Sequence, residues 1–310
     1  MDIIELSKTR LIYSTPMPEV NGYQEISLDN IDKRFQKHIE YFHTILKETV
    51  LPDCLGLFYS RISDLNIIHN RLKSAINTIL CTGISGEYEL NENEIFLYVN
   101  KGQRKVLNHE LLHLASTYVN KEMHYYQCGF HQENQTTSVG KALNEGYTEH
   151  LTNYLFNSKN KSDAYMYEMI ISKLVEEIVE SQVMQRLYFS GDLYNLINIL
   201  NKYTTLDNIK KLLYFSDYFL DNSGSLTKRK ANIESINYIN TILLETYTNK
   251  MIESYQNGVI TLLELYQNIE IFICKMKVLL DINLPMSKDC LSKGIVKSKQ
   301  IVMNNIRKTL

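Results

Sequence analysis

Tryptophan is absent from this chain of 310 residues, and no pair of cysteines is spaced like a metal knuckle. The five cysteines (Cys54, Cys81, Cys128, Cys274 and Cys290) are scattered and odd in number, with no C-x-x-C among them. That spacing argues against a disulfide framework and against a zinc site made of thiolates. An excess of either charge is also missing. The net charge of −2 gives no electrostatic reason to expect nucleic acid or an anionic membrane surface as partner. The first residues carry no basic region followed by an apolar run, so they do not read as a signal peptide. The most apolar late stretch, 262–280, is broken by Glu264, Glu270, Lys275 and Lys277, which suits a buried helix better than a membrane span. Together these absences predict a soluble protein of a reducing cytoplasm. The abundance of Tyr, Ile, Asn and Lys reads as a compositional bias and not as a functional signal.

What remains is ordinary for a globular protein, with 44% hydrophobic and 22% charged residues. The length suits one large domain or two modest ones. Residues 1–26 show no clear period and contain Pro16 and Pro18. Ile31, Phe35, Ile39, Phe42, Ile45 and Leu46 recur at helical spacing over 28–50, and Pro52 ends that pattern. A second helical pattern runs through Ile68, Leu72, Ile76 and Leu80. Beyond the turn at 82–86, Tyr88 and Leu90 alternate with polar residues. Asn91, Glu92 and Asn93 make a turn, and 95–99 reads as a short strand, so a hairpin is expected. Asn100 and Gln103 resemble a capping box at the start of a helix that should run to about Val119. A polar loop containing Gly129 follows. Ser138 is then placed to cap a helix over about 139–156. From about 162 onward nearly everything reads as helical, with breaks expected at 190–192, 221–225, Gly258 and Pro285.

The chemistry-bearing residues lie on the two central helices. His109-Glu110-Leu111-Leu112-His113 is an H-E-x-x-H motif, and four residues of helix return a side chain to the same face. Both imidazoles can therefore reach one metal ion, with Glu110 held beside it. The later segment Leu143-Asn144-Glu145-Gly146-Tyr147-Thr148-Glu149 carries a carboxylate pair at i,i+4. Two histidines and one glutamate are a known catalytic zinc set that leaves a fourth position open for water. Glu145 is expected as the third ligand and Glu110 as general base. Glu149 is expected to hydrogen-bond a ligand histidine, and it is also the rival third ligand. Cys128 reads as a small buried hydrophobe, His131 as a solvated loop histidine and His150 as structural.

With its L-N-E-G string, this pair of segments resembles the gluzincin zinc metallopeptidases. The resemblance covers about 84–156, and it implies an α+β fold with a zincin-like core of small antiparallel sheet and active-site helices. On that basis the chain divides into a mainly helical region (1–82), a catalytic core (83–160) and a helical C-terminal region (161–310). The implied function is hydrolysis of a peptide or protein substrate by zinc-activated water, with Glu110 as base. The resemblance further implies that the strand before the motif helix, 95–99, pairs with extended substrate. It also implies an oxyanion-stabilising side chain beyond the third ligand, for which Tyr165, Tyr167, Tyr188, Tyr203 and Tyr214 are all candidates. The spacing from His113 to Glu145 is longer than usual for that family, which places an insertion containing His124, Cys128 and His131 between the two helices. A non-catalytic zinc-binding regulatory protein on the same fold, and an amide hydrolase with a non-protein substrate, remain as alternatives.

Overall fold

In a computed structural model of the chain, the described residues are 16–69, 85–99, 103–156, 165–223 and 226–277, with 293–296, 299, 300, 303 and 306 near the C-terminus. They form a mixed α+β structure that is mostly helical. Helix α1 (Lys33–Thr49) begins where the Asp32 side chain accepts the Arg34 N–H at 2.9 Å. Phe35, Ile39, Phe42 and Leu46 supply its buried face. A short 3-10 turn (Pro52–Cys54) leads into α2 (Gly56–Ile62).

Strands β1 (Asn66–His69), β2 (Gly86–Glu89) and β3 (Glu94–Leu97) then build a small sheet of order β1-β3-β2. The β2–β3 hairpin is antiparallel, as expected, and Tyr88 faces Ile95 across it. The second helical pattern, through Ile68, is corrected at its start. Residues 66–69 are a strand paired in parallel with β3, where Ile67 faces the buried Ile95. The remainder of that pattern, 70–80, lies outside the described residues, as do Asn100 and the start of its capping box.

Helix α3 (Gln103–Ala115) carries the H-E-x-x-H motif. Every residue from Leu107 to Ala115 is buried, so the helix is enclosed all round and does not merely lie on the core. It stops at Ala115, earlier than expected, and the segment expected to be a loop is a four-stranded antiparallel meander. This comprises β4 (Thr117–Asn120), β5 (Tyr125–Cys128), β6 (His131–Glu133) and β7 (Ser138–Val139). Its turns use left-handed backbone at His124 (φ 47°) and Gly129 (φ 52°). Gln127 and Gln132 face each other in register and are fully buried, an arrangement that hydrophobic periodicity cannot reveal.

The helices that follow include α4 (Lys141–Leu155), α5 (Met166–Val179), α6 (Ser181–Phe189) and α7 (Leu193–Leu200). After them come α8 (Leu206–Asn222), α9 (Arg229–Gln256) and α10 (Leu262–Lys277). Breaks fall at the expected 190–192, after Asn222 and at Gly258, and also at Glu180 and over 201–205, where none was expected; Pro285 lies outside the described residues. Helix α4 packs on α5, and α8 packs on α9. One continuous apolar core runs from Phe42 and Phe58 through Leu111 and Tyr147 to Phe219 and Phe272. Among the described residues no helix is long and apolar enough to cross a membrane.

Ser138 does not cap α4, because it lies in β7. The cap position is Gly140, with φ of 80° and no capping side chain of its own. Asp217 of α8 takes over that role, accepting the N–H groups of Gly140 at 2.7 Å and Ala142 at 2.8 Å. The helix that presents Glu145 is thus anchored from another part of the fold.

Candidate metal centre

Helical spacing brings His109 and His113 together on α3, with their Nε2 atoms 3.1 Å apart. From α4, the Glu145 Oε2 approaches the same two atoms, at 3.4 Å from His109 and 3.5 Å from His113. Three donor atoms therefore form a nearly equilateral triangle. A tetrahedral ion with bonds of about 2.0–2.1 Å sets its ligands about 3.3–3.4 Å apart, so the edges match one face of such a polyhedron. The donor set also suits zinc chemically, since two imidazoles and one carboxylate leave a fourth position free. Two Nε2 atoms this close cannot both carry hydrogens pointing at each other.

The atoms behind the triangle face the two Nδ1 atoms. The His109 Nδ1 lies 3.3 Å from the Glu149 Oε2, so with a metal on Nε2 the Nδ1–H would donate there. The other Glu149 oxygen accepts from Lys105 Nζ at 2.6 Å. Both Glu149 oxygens are thus engaged away from the triangle, and Glu145, not its rival, closes it. On the second histidine, His113 Nδ1 faces the Cys128 Sγ at 3.3 Å, with the Asn144 amide at the same distance. With a metal on Nε2, Nδ1 would carry the hydrogen and the sulfur would accept it.

The charges in this nest are strongly coupled. Burial opposes a charge on His109, but hydrogen bonds to Glu145 and Glu149 outweigh it and lift the imidazole to about 9. His113 is raised well above its usual value despite burial, by Cys128 and Glu145. Glu145 is held well below the usual carboxylate range, because the two histidines overcome its burial. Glu149 is likewise lowered against its own burial, by His109 and Lys105. The carboxylates thus stabilise positive charge at the centre of the cluster.

Glu110 is buried, and burial pushes its carboxyl up. It lies against β2, where a Cβ added to Gly86 would meet the Glu110 Oε1 at 3.1 Å. Together with the triangle it opens into a cavity of about 770 Å³. Residues 95–99, expected to offer their backbone to a substrate, are corrected here. Strand β3 is the central strand, bonded on both sides, whereas β2 is an edge among the described residues and lines the cavity.

Of the five tyrosines, Tyr165 alone lines the cavity, at the N-terminal boundary of α5 with φ of 53°. Its ring stacks on His109 with centroids 5.8 Å apart. Tyr167 is buried against Phe219, and Tyr188 is fully buried with its hydroxyl 2.7 Å from that of Thr148. His131 also lines the cavity, correcting its reading as a solvated residue. Burial pushes its imidazole down to about 4, and its Nε2 lies 2.8 Å from the Ser138 hydroxyl. His150 lies 3.3 Å from Glu176, away from the centre, as a structural residue should.

Sequence reasoning missed three contributors. Lys105 stands one helical turn before His109, a spacing that could have revealed it. Cys128 packs as a small buried side chain, as expected, but its sulfur also touches His113. Glu168, on the first turn of α5, lines the cavity and carries no sequence signal. Gly146 explains how α5 comes so close, because a Cβ there would stand well under 3.0 Å from the Glu168 carbonyl. Comparison with known protein families, with curated proteins and with solved structures returns no match for this chain.

Proposed function

We propose that this chain is a zinc-dependent metallopeptidase with a zincin-like arrangement of edge strand and two active-site helices. His109, His113 and Glu145 would hold the ion. Zinc bound there would lower the pKa of a water to about 7 and polarise a substrate carbonyl. The chain's own residues do the rest. Glu110 accepts the proton of the attacking water on its carboxylate and returns it to the leaving amine, a role its raised affinity for protons favours. The edge of β2 that is unpaired among the described residues would take an extended peptide as an added strand, leaving alternate side chains to the pockets. Tyr165, stacked on His109 and lining the cavity, would donate its hydroxyl to a developing oxyanion.

The observation that carries this reading is the 3.1, 3.4 and 3.5 Å triangle of donors sharing a cavity with Glu110 and a strand edge. A structural zinc site needs no neighbouring base and no open cleft. The experiment is a peptide-library digest read by mass spectrometry, with zinc-loaded wild type, Glu110→Gln and chelator-treated protein in parallel. Cleavage by wild type alone is expected. Cleavage that persists in Glu110→Gln would contradict the mechanism, and no cleavage by zinc-loaded wild type would count against peptidase function.

A further inference from the structure

The cavity holds more carboxylates than the metal and the proton transfer require. Glu145 belongs to the donor triangle and Glu110 is the base. Glu149 is neutralised by Lys105 at 2.6 Å and by His109 at 3.3 Å. Two remain, Glu87 and Glu168. Glu87 sits exposed on β2 and accepts the Tyr98 hydroxyl at 3.3 Å. Glu168 is different. The residue is only 5% exposed, yet it lines the cavity on the Glu145 side. Among the described residues no Lys, Arg or His nitrogen pairs with its carboxylate, whereas the wall's two lysines, Lys105 and Lys141, are paired with Glu149 and Asp221. Burial drives its carboxyl up to about 7, with the Glu145 charge adding to the effect.

A buried carboxylate without a cation is costly, and such a group is retained where something else completes it. Its backbone is also fixed. The Glu168 carbonyl rests on Gly146, next to Glu145, and the Ser172 hydroxyl donates to that carbonyl at 2.9 Å. The residue is therefore held on a rigid first helical turn in the wall of the space a substrate would occupy.

Resting on the metallopeptidase reading above, we infer that Glu168 is a specificity residue that binds an ammonium or guanidinium group of the substrate within the cleft. That group could be a Lys or Arg side chain near the bond to be cut, or the free amino terminus of a peptide. Either places a cation beside the unpaired carboxylate and sets substrate register relative to the donor triangle.

The test measures binding, so that it does not depend on turnover. Zinc-loaded Glu110→Gln protein is titrated with fluorescein-labelled alanine pentapeptides and read by anisotropy. The series has one Lys at each position in turn, the same peptides with that lysine acetylated, and the unsubstituted peptide with free or acetylated amino terminus. At least one cationic peptide should bind about 30-fold or more tightly than its neutral counterpart, as expected for a partly buried charge pair. A side-chain source shows as a position-dependent lysine effect, and an amino-terminal source as an effect of acetylating the terminus. In the Glu110→Gln, Glu168→Gln double variant the two members of the pair should bind within about twofold of each other. The peptide arms stand even if that variant fails to fold. Equal binding of all charged and neutral pairs, or no binding of any, overturns the inference. So does a preference for cations that survives Glu168→Gln. Cleavage by wild type without any cation preference would sink this inference and leave the peptidase reading standing. Selective cation binding without cleavage would do the reverse.

Discussion

Gly146→Ala separates a structural requirement from helix propensity, because the two predict opposite signs. Within a solvent-exposed helix, glycine to alanine stabilises by about 1 kcal/mol. Gly146 is instead buried in α4 where α5 crosses it. An added Cβ would stand well under 3.0 Å from the Glu168 carbonyl oxygen and carbon, and at 2.6 Å from the Ser172 hydroxyl. Backbone cannot rotate aside as a side chain can, so the two helices must separate by roughly 1 Å to restore ordinary van der Waals contact. Overpacking of this kind costs about 1–3 kcal/mol. The interhelical bond from the Ser172 hydroxyl to the Leu143 carbonyl, 3.0 Å long, is strained at the same time. The clash and the lost bond outweigh the propensity gain, and the net expectation is a loss of about 1–2 kcal/mol. Urea unfolding followed by circular dichroism measures it, with a lower midpoint and an unchanged slope. Because α5 also carries Tyr165 and Glu168, its displacement should widen the cleft beside Glu145. A Gly146→Ala protein as stable as wild type, or more stable, refutes the close approach of the two helices.

Two further outcomes follow from the electrostatics of the centre. The metal-free site binds protons that zinc must displace, because His109 titrates at about 9 and His113 well above its usual value. Zinc affinity should therefore rise between pH 6 and 8 by about tenfold or more per unit, with proton release detectable in weakly buffered solution, and a flat profile would contradict the shared protons. By the same sign, stability that the metal-free protein draws from the raised His109 is complete below about pH 6.5 and lost as pH climbs through about 9. Thermal melts of metal-free protein should show that decline, and a melting point rising over this range would count against it. Glu149→Ala removes the partner of the His109 Nδ1 and of Lys105, so competition with a chromogenic chelator should show about 10–100-fold weaker zinc binding. Glu145→Ala should weaken it more, and the reverse order would exchange the roles of the two carboxylates.

Sequence periodicity found the centre because the two histidines and the two carboxylates are each four residues apart on helices, where spacing alone fixes a shared face. It could not decide between Glu145 and Glu149, which share that face. In the structure Lys105 and the His109 Nδ1 engage Glu149, and Glu145 faces the two Nε2 atoms. The β4–β7 meander was hidden because its strands are two to four residues long and its interior carries Gln127 and Gln132, so neither length nor hydrophobic alternation marks it. The strand edge was misassigned for a related reason. Asn66–His69 reads as the start of a helix, yet its pairing with β3 is what makes β3 central, with β2 an edge among the described residues. The Asp217 cap joins residues 75 and 77 positions apart, a distance at which local capping rules say nothing. Glu168 shares that opacity, since its place beside Glu145 depends on the α4–α5 crossing that Gly146 permits.

The central claim is that His109, His113 and Glu145 form one metal site, and calorimetric titration of zinc into chelator-treated protein tests it most directly. The account predicts one ion per chain in wild type and in Glu110→Gln, with binding lost in His109→Ala and in His113→Ala. No uptake by the wild-type protein, or uptake left unchanged by His113→Ala, would contradict it.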